Sequence, residues 1–181
     1  MFPSLPLPLS PAIQNTMAPP IMQAAAWLEG LSFPADRPLI NLSQAAPTQA
    51  PPIALRREMA RIAVQDDTAH HYGPVLGLPA LRREIAMHWS RAYHGQIAAD
   101  DVAITSGCNQ AFTAVMSTLC AAGDEIILPT PWYFNHKMWA DMNGVKVAPL
   151  ITGPDLLPNL ESAAKLITPR TRAIVLVSPN N

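Results

Sequence analysis

Apolar and polar positions follow two regular patterns in the second half of the chain. Short apolar runs rich in β-branched residues are typical of buried strands, and apolar residues at spacings of three and four are typical of helices. The predicted strands are 101–105, 124–129, 145–150 and 172–179, and the predicted helices between them are 109–123, 132–143 and 157–167. This order predicts an α/β fold in which helices cover a mostly parallel sheet.

The first half of the chain begins with a proline-rich segment and continues with helical patterns. Residues 1–20 are rich in proline and predict an irregular arm. The predicted helices are 20–30, 53–65 and 77–95. In the last of them, Pro79 suits the first turn and Gly95 suits the end. The arm and a short helix therefore precede the α/β portion.

Composition gives no indication of a nucleic-acid or membrane partner. The net charge is −1 and the pI is about 6.5, so no basic surface is expected. Hydrophobic residues make up 49% of the chain and charged residues 14%, whereas charged residues are about a quarter of a typical domain. We therefore expect part of the surface to be buried against further sequence or a partner subunit.

Two cysteines and two uncharged stretches bear on the compartment. Cys108 and Cys120 do not form a disulfide framework, which favours a reducing compartment. Residues 1–28 are uncharged but lack a basic start and contain several prolines, unlike a signal peptide. Residues 102–123 are uncharged but contain Thr, Ser, Asn and Gln, which a bilayer penalises. A cytoplasmic protein is the prediction.

The stretch "TSGCNQAF" is a candidate phosphate site. A turn at Ser106 and Gly107 joins predicted strand 101–105 to a helix that begins near Cys108. The first amides of a helix lack internal partners, and the helix dipole there favours an anion. A glycine in the turn lets a phosphate approach. Most such turns bind nothing, however, and neither a Walker motif nor G-x-G-x-x-G is present.

Two other loops follow predicted strands. Four aromatic residues come after strand 124–129: Trp132, Tyr133, Phe134 and Trp139. They favour either stacking on a planar ligand or packing in the core. Asn180 and Asn181 follow the last strand, where their amides suit a ligand oxygen or a turn. Adjacent His70 and His71 lack an acidic partner at metal-ligand spacing, so no metal site is predicted.

Four stretches carry recognisable motifs in a fixed order. "HYGPVLGLPALRREIA" is similar to Y-x-x-x-x-G-x-x-x-L-R, and "VAITSGCNQAF" to a strand followed by S/T-G-x-x-Q-A. "DEIILPTPWYFNHKMW" is similar to a strand followed by P-x-P-Y/W, and "AIVLVSPNN" to a strand that continues S-P-N-N-P-T-G. Together they resemble the class I/II aminotransferases, pyridoxal-phosphate enzymes of the aspartate-aminotransferase fold (fold type I). The resemblance covers residues 38–181.

The resemblance implies pyridoxal 5′-phosphate as cofactor and roles for several residues. It implies that the amides of Cys108 and Asn109, after Gly107, hold the cofactor phosphate. It also implies a homodimer in which Tyr72 reaches the phosphate of the other subunit.

The ring and the substrate are assigned in the same way. The resemblance implies that Tyr133, rather than Trp132, stacks on the pyridine ring and that Asn181 contacts the phenolic oxygen. Ala45 stands where the family usually has a glycine near the substrate carboxylate, so its methyl group narrows the expected pocket. The implied domains are an N-terminal arm and small-domain segment, 1–45, and an incomplete cofactor-binding large domain, 46–181.

The resemblance also implies that no catalytic residue lies in this chain. The family's Schiff-base lysine, the aspartate at the ring nitrogen and the carboxylate-binding arginine all follow the asparagine that matches Asn181. Lys137, Lys146 and Lys165 are the only lysines, and each is interpreted as solvated. We expect an N-terminal fragment or truncated product, inactive alone, of an enzyme that moves an amino group between an amino acid and a 2-oxo acid.

Three alternatives stay open at this point. The chain could be a non-catalytic remnant. The parent could perform another fold type I reaction, as a decarboxylase, a lyase or an aminocyclopropane carboxylate synthase-like enzyme. An unrelated nucleotide-binding α/β domain is the third, although the glycine-rich fingerprint that it requires is absent.

Overall fold

The computed structural model describes residues 8–44 and 47–180. Its helices are α1 (Pro11–Gln14), α2 (Pro20–Ala26), α3 (Ile53–Gln65), α4 (Pro79–Ala92), α5 (Cys108–Leu119), α6 (Phe134–Met142) and α7 (Leu160–Leu166). The strands are β1 (Glu125–Thr130), β2 (Lys146–Ile151) and β3 (Thr171–Ile174), and two 3-10 turns span Asp67–His70 and Ala99–Asp101. No helix in these ranges is both long and apolar enough to cross a bilayer.

The described chain divides into two compact units. One contains the described residues up to Pro38 and from Asn109 onward, and the other is Leu39–Cys108. The first unit holds the sheet and the second holds α3 and α4. The division into 1–45 and 46–181 stays a prediction.

The sheet of the first unit is parallel, as predicted. Its strand order is β2-β1-β3, and α6 and α7 are the helices of the two successive crossovers. Glu125 pairs with Lys146 in β2 and with Thr171 in β3, so the three strands start at the same edge. Their carboxyl ends therefore open together at the opposite edge, where ligands of α/β sheets gather.

Helices cover both faces of β1. On one face, Ile126 packs in a cluster with Met116 of α5 and Trp139 of α6. On the other face, Ile127 packs with Leu150 and with Ala163 of α7. This alternation explains why β1 is a continuous apolar run, since successive residues point to opposite, equally buried faces.

Several predicted elements differ from the structure in extent or kind. The predicted strand 101–105 is wrong, because its extended backbone has no ladder partner among the described residues and Ile104 N instead donates to Leu76 O at 3.0 Å. The last strand ends at Ile174 rather than 179, after a register shift against β1. The helix predicted to end at Gly30 ends at Ala26, and α1 begins in the arm because Ser10 caps it by accepting from Ile13 N at 3.3 Å.

Candidate functional site

A cleft opens beyond the carboxyl ends of β1 and β3, and its walls include Trp132, Tyr133, His136, Val175 and Asn180. The loop after β1 supplies the aromatic side and the chain after β3 supplies the other. The Asn180 side-chain amide donates to the Pro131 carbonyl at 3.1 Å, which ties the two sides together.

Tyr133 is held in a defined orientation at this cleft. It is half-buried and precedes α6 as its N-cap residue. Its hydroxyl oxygen accepts a hydrogen bond from Asn135 Nδ2 at 2.6 Å. The edge of the His136 ring meets it with centroids 5.2 Å apart at 88°. A fixed aromatic ring on a ligand cleft is suited to contact a flat ligand.

His136 links this tyrosine to α5. It is only 6% exposed, and its ring stacks on Phe112 with centroids 3.9 Å apart and planes at 20°. Burial lowers the pKa of His136 below its ordinary value of 6.5, which favours the neutral ring. Asn109, near the start of α5, lines a neighbouring groove with Asn135. Phe112 of α5 and the tyrosine thus belong to one packed arrangement within the first unit.

The turn before α5 has the features that a phosphate requires. Gly107 has φ +91°, a conformation that other residues adopt only with strain, and within the described chain no atom beyond its two chain neighbours lies within 4 Å of where a Cβ would stand. Thr105 Oγ1 donates to the Gly107 carbonyl at 3.0 Å. Cys108 and Asn109 are exposed, and the first amides of a helix lack intrahelical acceptors. Open space, amide donors and the helix dipole together fit a phosphate group.

The remaining predicted site residues have different outcomes. Ala45 and Asn181 lie outside the described residues. Tyr72 is fully exposed and follows the 3-10 turn Asp67–His70 in the second unit. The roles expected for these residues, and for Gly107, Cys108, Asn109 and Tyr133, stay predictions. Within residues 8–44 and 47–180, no three His, Cys, Asp or Glu side chains form a group able to hold a metal ion.

The sequence alone does not predict the residues that support Tyr133, which are Asn135, His136 and Phe112. Helical spacing offered one signal, because His136 lies three residues after Tyr133 and so on the same face of the helix start. Phe112 lies far away in sequence, and no local pattern indicates that it packs on His136.

The chain belongs to the family "Aminotransferase class I and II", whose profile matches residues 37–181. It is 32% identical over 154 residues to nicotianamine aminotransferase 1 of Oryza sativa subsp. japonica, covering 80% of this chain and 30% of that protein. It is 33% identical over 144 residues to methionine aminotransferase of Escherichia coli (strain K12), covering 78% of this chain and 37% of that protein.

Solved structures agree with this membership. The Thermus thermophilus aspartate aminotransferase with maleate superposes with a TM-score of 0.84 at 25% identity, over 97% of this chain and 46% of that one. An aminotransferase from Mycobacterium tuberculosis gives a TM-score of 0.75 at 26% identity, over 96% and 42%. The chain thus spans about a third of the curated relatives named above and under half of these solved chains.

The family membership and the structural similarity confirm the expected family, fold and cofactor. The fold is the aspartate-aminotransferase fold type I, with helices around a parallel sheet. Class I and II aminotransferases depend on pyridoxal phosphate, and the turn before α5 fits the phosphate of that cofactor.

Proposed function

We propose that these residues bind pyridoxal phosphate in an enzyme that transfers an amino group between an amino acid and a 2-oxo acid. The observation that carries the proposal is the packed path from Phe112 of α5, through His136, to Tyr133 in the cleft. It connects the helix whose start we propose to bind the phosphate with the tyrosine that we propose to bind the ring. Family membership supplies the supporting argument.

The proposed roles follow the chemistry of each group. The amides of Cys108 and Asn109 donate to the phosphate, and Gly107 allows the approach. Tyr133 packs on one face of the ring, while Asn135 and His136 hold it in place. These groups bind and orient the cofactor rather than react with it.

Three further contacts belong to the same proposal. The amide of Asn181 donates to the phenolic oxygen of the cofactor. Ala45 is proposed to border the substrate carboxylate, where the methyl group of an alanine would narrow the pocket. In a homodimer, Tyr72 reaches the phosphate that the neighbouring subunit holds, and its full exposure leaves it available for that contact.

The 181 residues are proposed to lack transaminase activity by themselves. When bound, pyridoxal phosphate supplies an electron sink for the negative charge that develops on the substrate's α-carbon. A basic side chain must still move the proton there. The Lys137 ammonium group donates a hydrogen bond to Asp141 Oδ1 at 2.5 Å. Lys146 begins β2 at the amino edge of the sheet, and Lys165 lies in the last turn of α7. None of these three lysines is proposed as the base that moves the proton.

The amino acid is proposed only as a class. Relatives of similar identity are named for nicotianamine, methionine, and aspartate or prephenate. The region that they share with this chain is therefore compatible with several substrates. A cytoplasmic location remains part of the proposal.

The test separates cofactor binding from turnover. Pyridoxamine phosphate lacks an aldehyde, so it reports binding without reacting with lysines. We expect the purified chain to bind it and Tyr133→Ala to bind it two- to tenfold more weakly, since an aromatic contact contributes about 0.5–1.5 kcal/mol. Tyr93→Ala, which removes an exposed tyrosine of the second unit, is the control.

Turnover is measured with a panel of amino acids and 2-oxo acids. The 181 residues should give none, whereas a protein extended beyond Asn181 with a cofactor-binding lysine should give turnover with at least one pair. Absence of binding to the chain, or equal binding by Tyr133→Ala and the unsubstituted chain, would contradict the proposal. Turnover by the 181 residues would contradict the assignment of the lysines.

A further inference from the structure

A segment of the second unit runs along α4 and leads directly into the turn before α5. At one end, the Ile97 amide donates to Ser90 Oγ, in the last part of α4, at 2.9 Å. At the other end, Ile104 N donates to the carbonyl of Leu76, just before α4, at 3.0 Å. The segment 97–104 therefore runs antiparallel to the helix and is fixed at both ends.

Arg82 fixes the middle of this segment. Its Nε donates to two carbonyls, those of Ala99 at 3.0 Å and Val102 at 2.8 Å. Its Nη2 donates to Asp100 Oδ1 at 3.0 Å. The Arg82 side chain is 12% exposed, whereas that of Asp100 is 98% exposed. The backbone contacts are therefore the protected ones, and a planar guanidinium is suited to make them together.

Gly77 brings the end of the segment close to the start of α4. Its φ is +95°, and a Cβ built on it would stand 2.6 Å from Ile104 Cβ. Only glycine leaves room for this approach. The Ile104 side chain is thereby held against the backbone at Gly77, three residues before the phosphate turn reaches Gly107.

We propose that Arg82, with Gly77, is a positioning residue for the cofactor phosphate. By fixing segment 97–104 along α4, it sets the path of Thr105 to Gly107 and so the direction of the Cys108 amide, all within the second unit. This inference rests on the proposed function, because it assumes that the phosphate binds at that turn. Neither Arg82 nor Gly77 is proposed to touch the cofactor.

The test measures phosphate preference rather than activity. The preference is the ratio of the dissociation constants for pyridoxamine and for pyridoxamine phosphate, which differ only in the phosphate. Arg82→Lys keeps the charge but loses the planar donor arrangement. The matched control is Arg83→Lys, because Arg83 is an exposed neighbour that makes none of these contacts.

We expect Arg82→Lys to reduce the preference on the order of tenfold. This is the effect of losing one well-directed charge-assisted hydrogen bond from a backbone amide of the turn to the phosphate. Pyridoxamine binding should be unchanged, and Arg83→Lys should match the unsubstituted chain for both ligands. A role in stability alone would weaken both ligands equally. That result, or an unchanged preference, overturns the inference.

Two further measurements keep the inference testable. If Arg82→Lys does not fold, Ile104→Ala removes the Cγ1 atom that lies against Gly77 and keeps the backbone, and it should reduce the preference two- to threefold. An unchanged preference there overturns the inference as well. If the unsubstituted chain binds both ligands equally, the proposed phosphate site fails and this inference fails with it. If the unsubstituted chain prefers the phosphate and both substituted chains keep that preference, only the positioning role is overturned.

Discussion

Truncating two adjacent residues of β1 tests whether helices cover both faces of the sheet. Ile126 and Ile127 are each 0% exposed, although they point to opposite sides. Ile126 packs against α5 and α6, and Ile127 packs against α7 and β2. If one face of the sheet were solvated, one of the two substitutions would change the free energy of unfolding very little. With both faces covered, both substitutions should lower it substantially.

The expected magnitude follows from the atoms removed. Substitution of isoleucine by alanine deletes three carbons, and each buried carbon contributes about 0.8 kcal/mol of transfer free energy, or about 2.4 kcal/mol in all. A residual cavity raises the total cost to between about 2 and 5 kcal/mol. We expect Ile126→Ala and Ile127→Ala each to lower the free energy of unfolding by this amount. Ile151→Ala should cost under about 0.5 kcal/mol, because Ile151 is 69% exposed.

Equilibrium unfolding in urea, followed by circular dichroism, measures all three variants. The dependence of the unfolding free energy on urea should keep its slope, so that shifts in midpoint report stability alone. A cost for Ile127→Ala that is no greater than that for Ile151→Ala would refute the second covered face. The same result for Ile126→Ala would refute the first.

Three other predictions concern titration and backbone strain. Burial lowers the pKa of His136, so the unfolded chain takes up the proton first as pH falls and the stability of the fold declines below about pH 6.5. His136→Phe should flatten that decline in melting experiments at different pH, whereas His71→Phe, at an exposed histidine, should not. Hydrogen bonds from Thr168 and Arg170 lower the pKa of Glu125, so its stabilisation is present above about pH 4.5 and is lost as pH falls; acid titration of Glu125→Gln should lack that loss. Gly107→Ala should lower the free energy of unfolding in urea by about 1–3 kcal/mol, because alanine is strained at φ +91°. If Gly107→Ala had as small an effect as the same substitution at a glycine without positive φ, the conformation described for Gly107 would be refuted.

The strands of the sheet and the helices between them could be predicted from local pattern. Strands β1 and β2 follow apolar runs, and α6 and α7 follow helical spacing between them. The predicted strand 101–105 shows the limit of this method. Its apolar pattern registers burial, but only the folded chain reveals that the segment bonds to the start of α4 and to Arg82 instead of to the sheet.

The site divides in the same way. Gly107 and Tyr133 were found because a glycine turn before a helix and an aromatic after a strand are local signals. The support for Tyr133 depends on Phe112 and His136, which different helices carry. Contacts between helices depend on how they pack, so a single sequence without a structure does not reveal them.

The central claim is that the start of α5 and Tyr133 bind one and the same ligand. Nuclear magnetic resonance tests it most directly, by titrating the labelled chain with pyridoxamine phosphate. We expect the amide signals of Cys108 and Asn109 and the ring signals of Tyr133 to shift together with a single dissociation constant. Shifts at only one of these places, or shifts with two different constants, would contradict it.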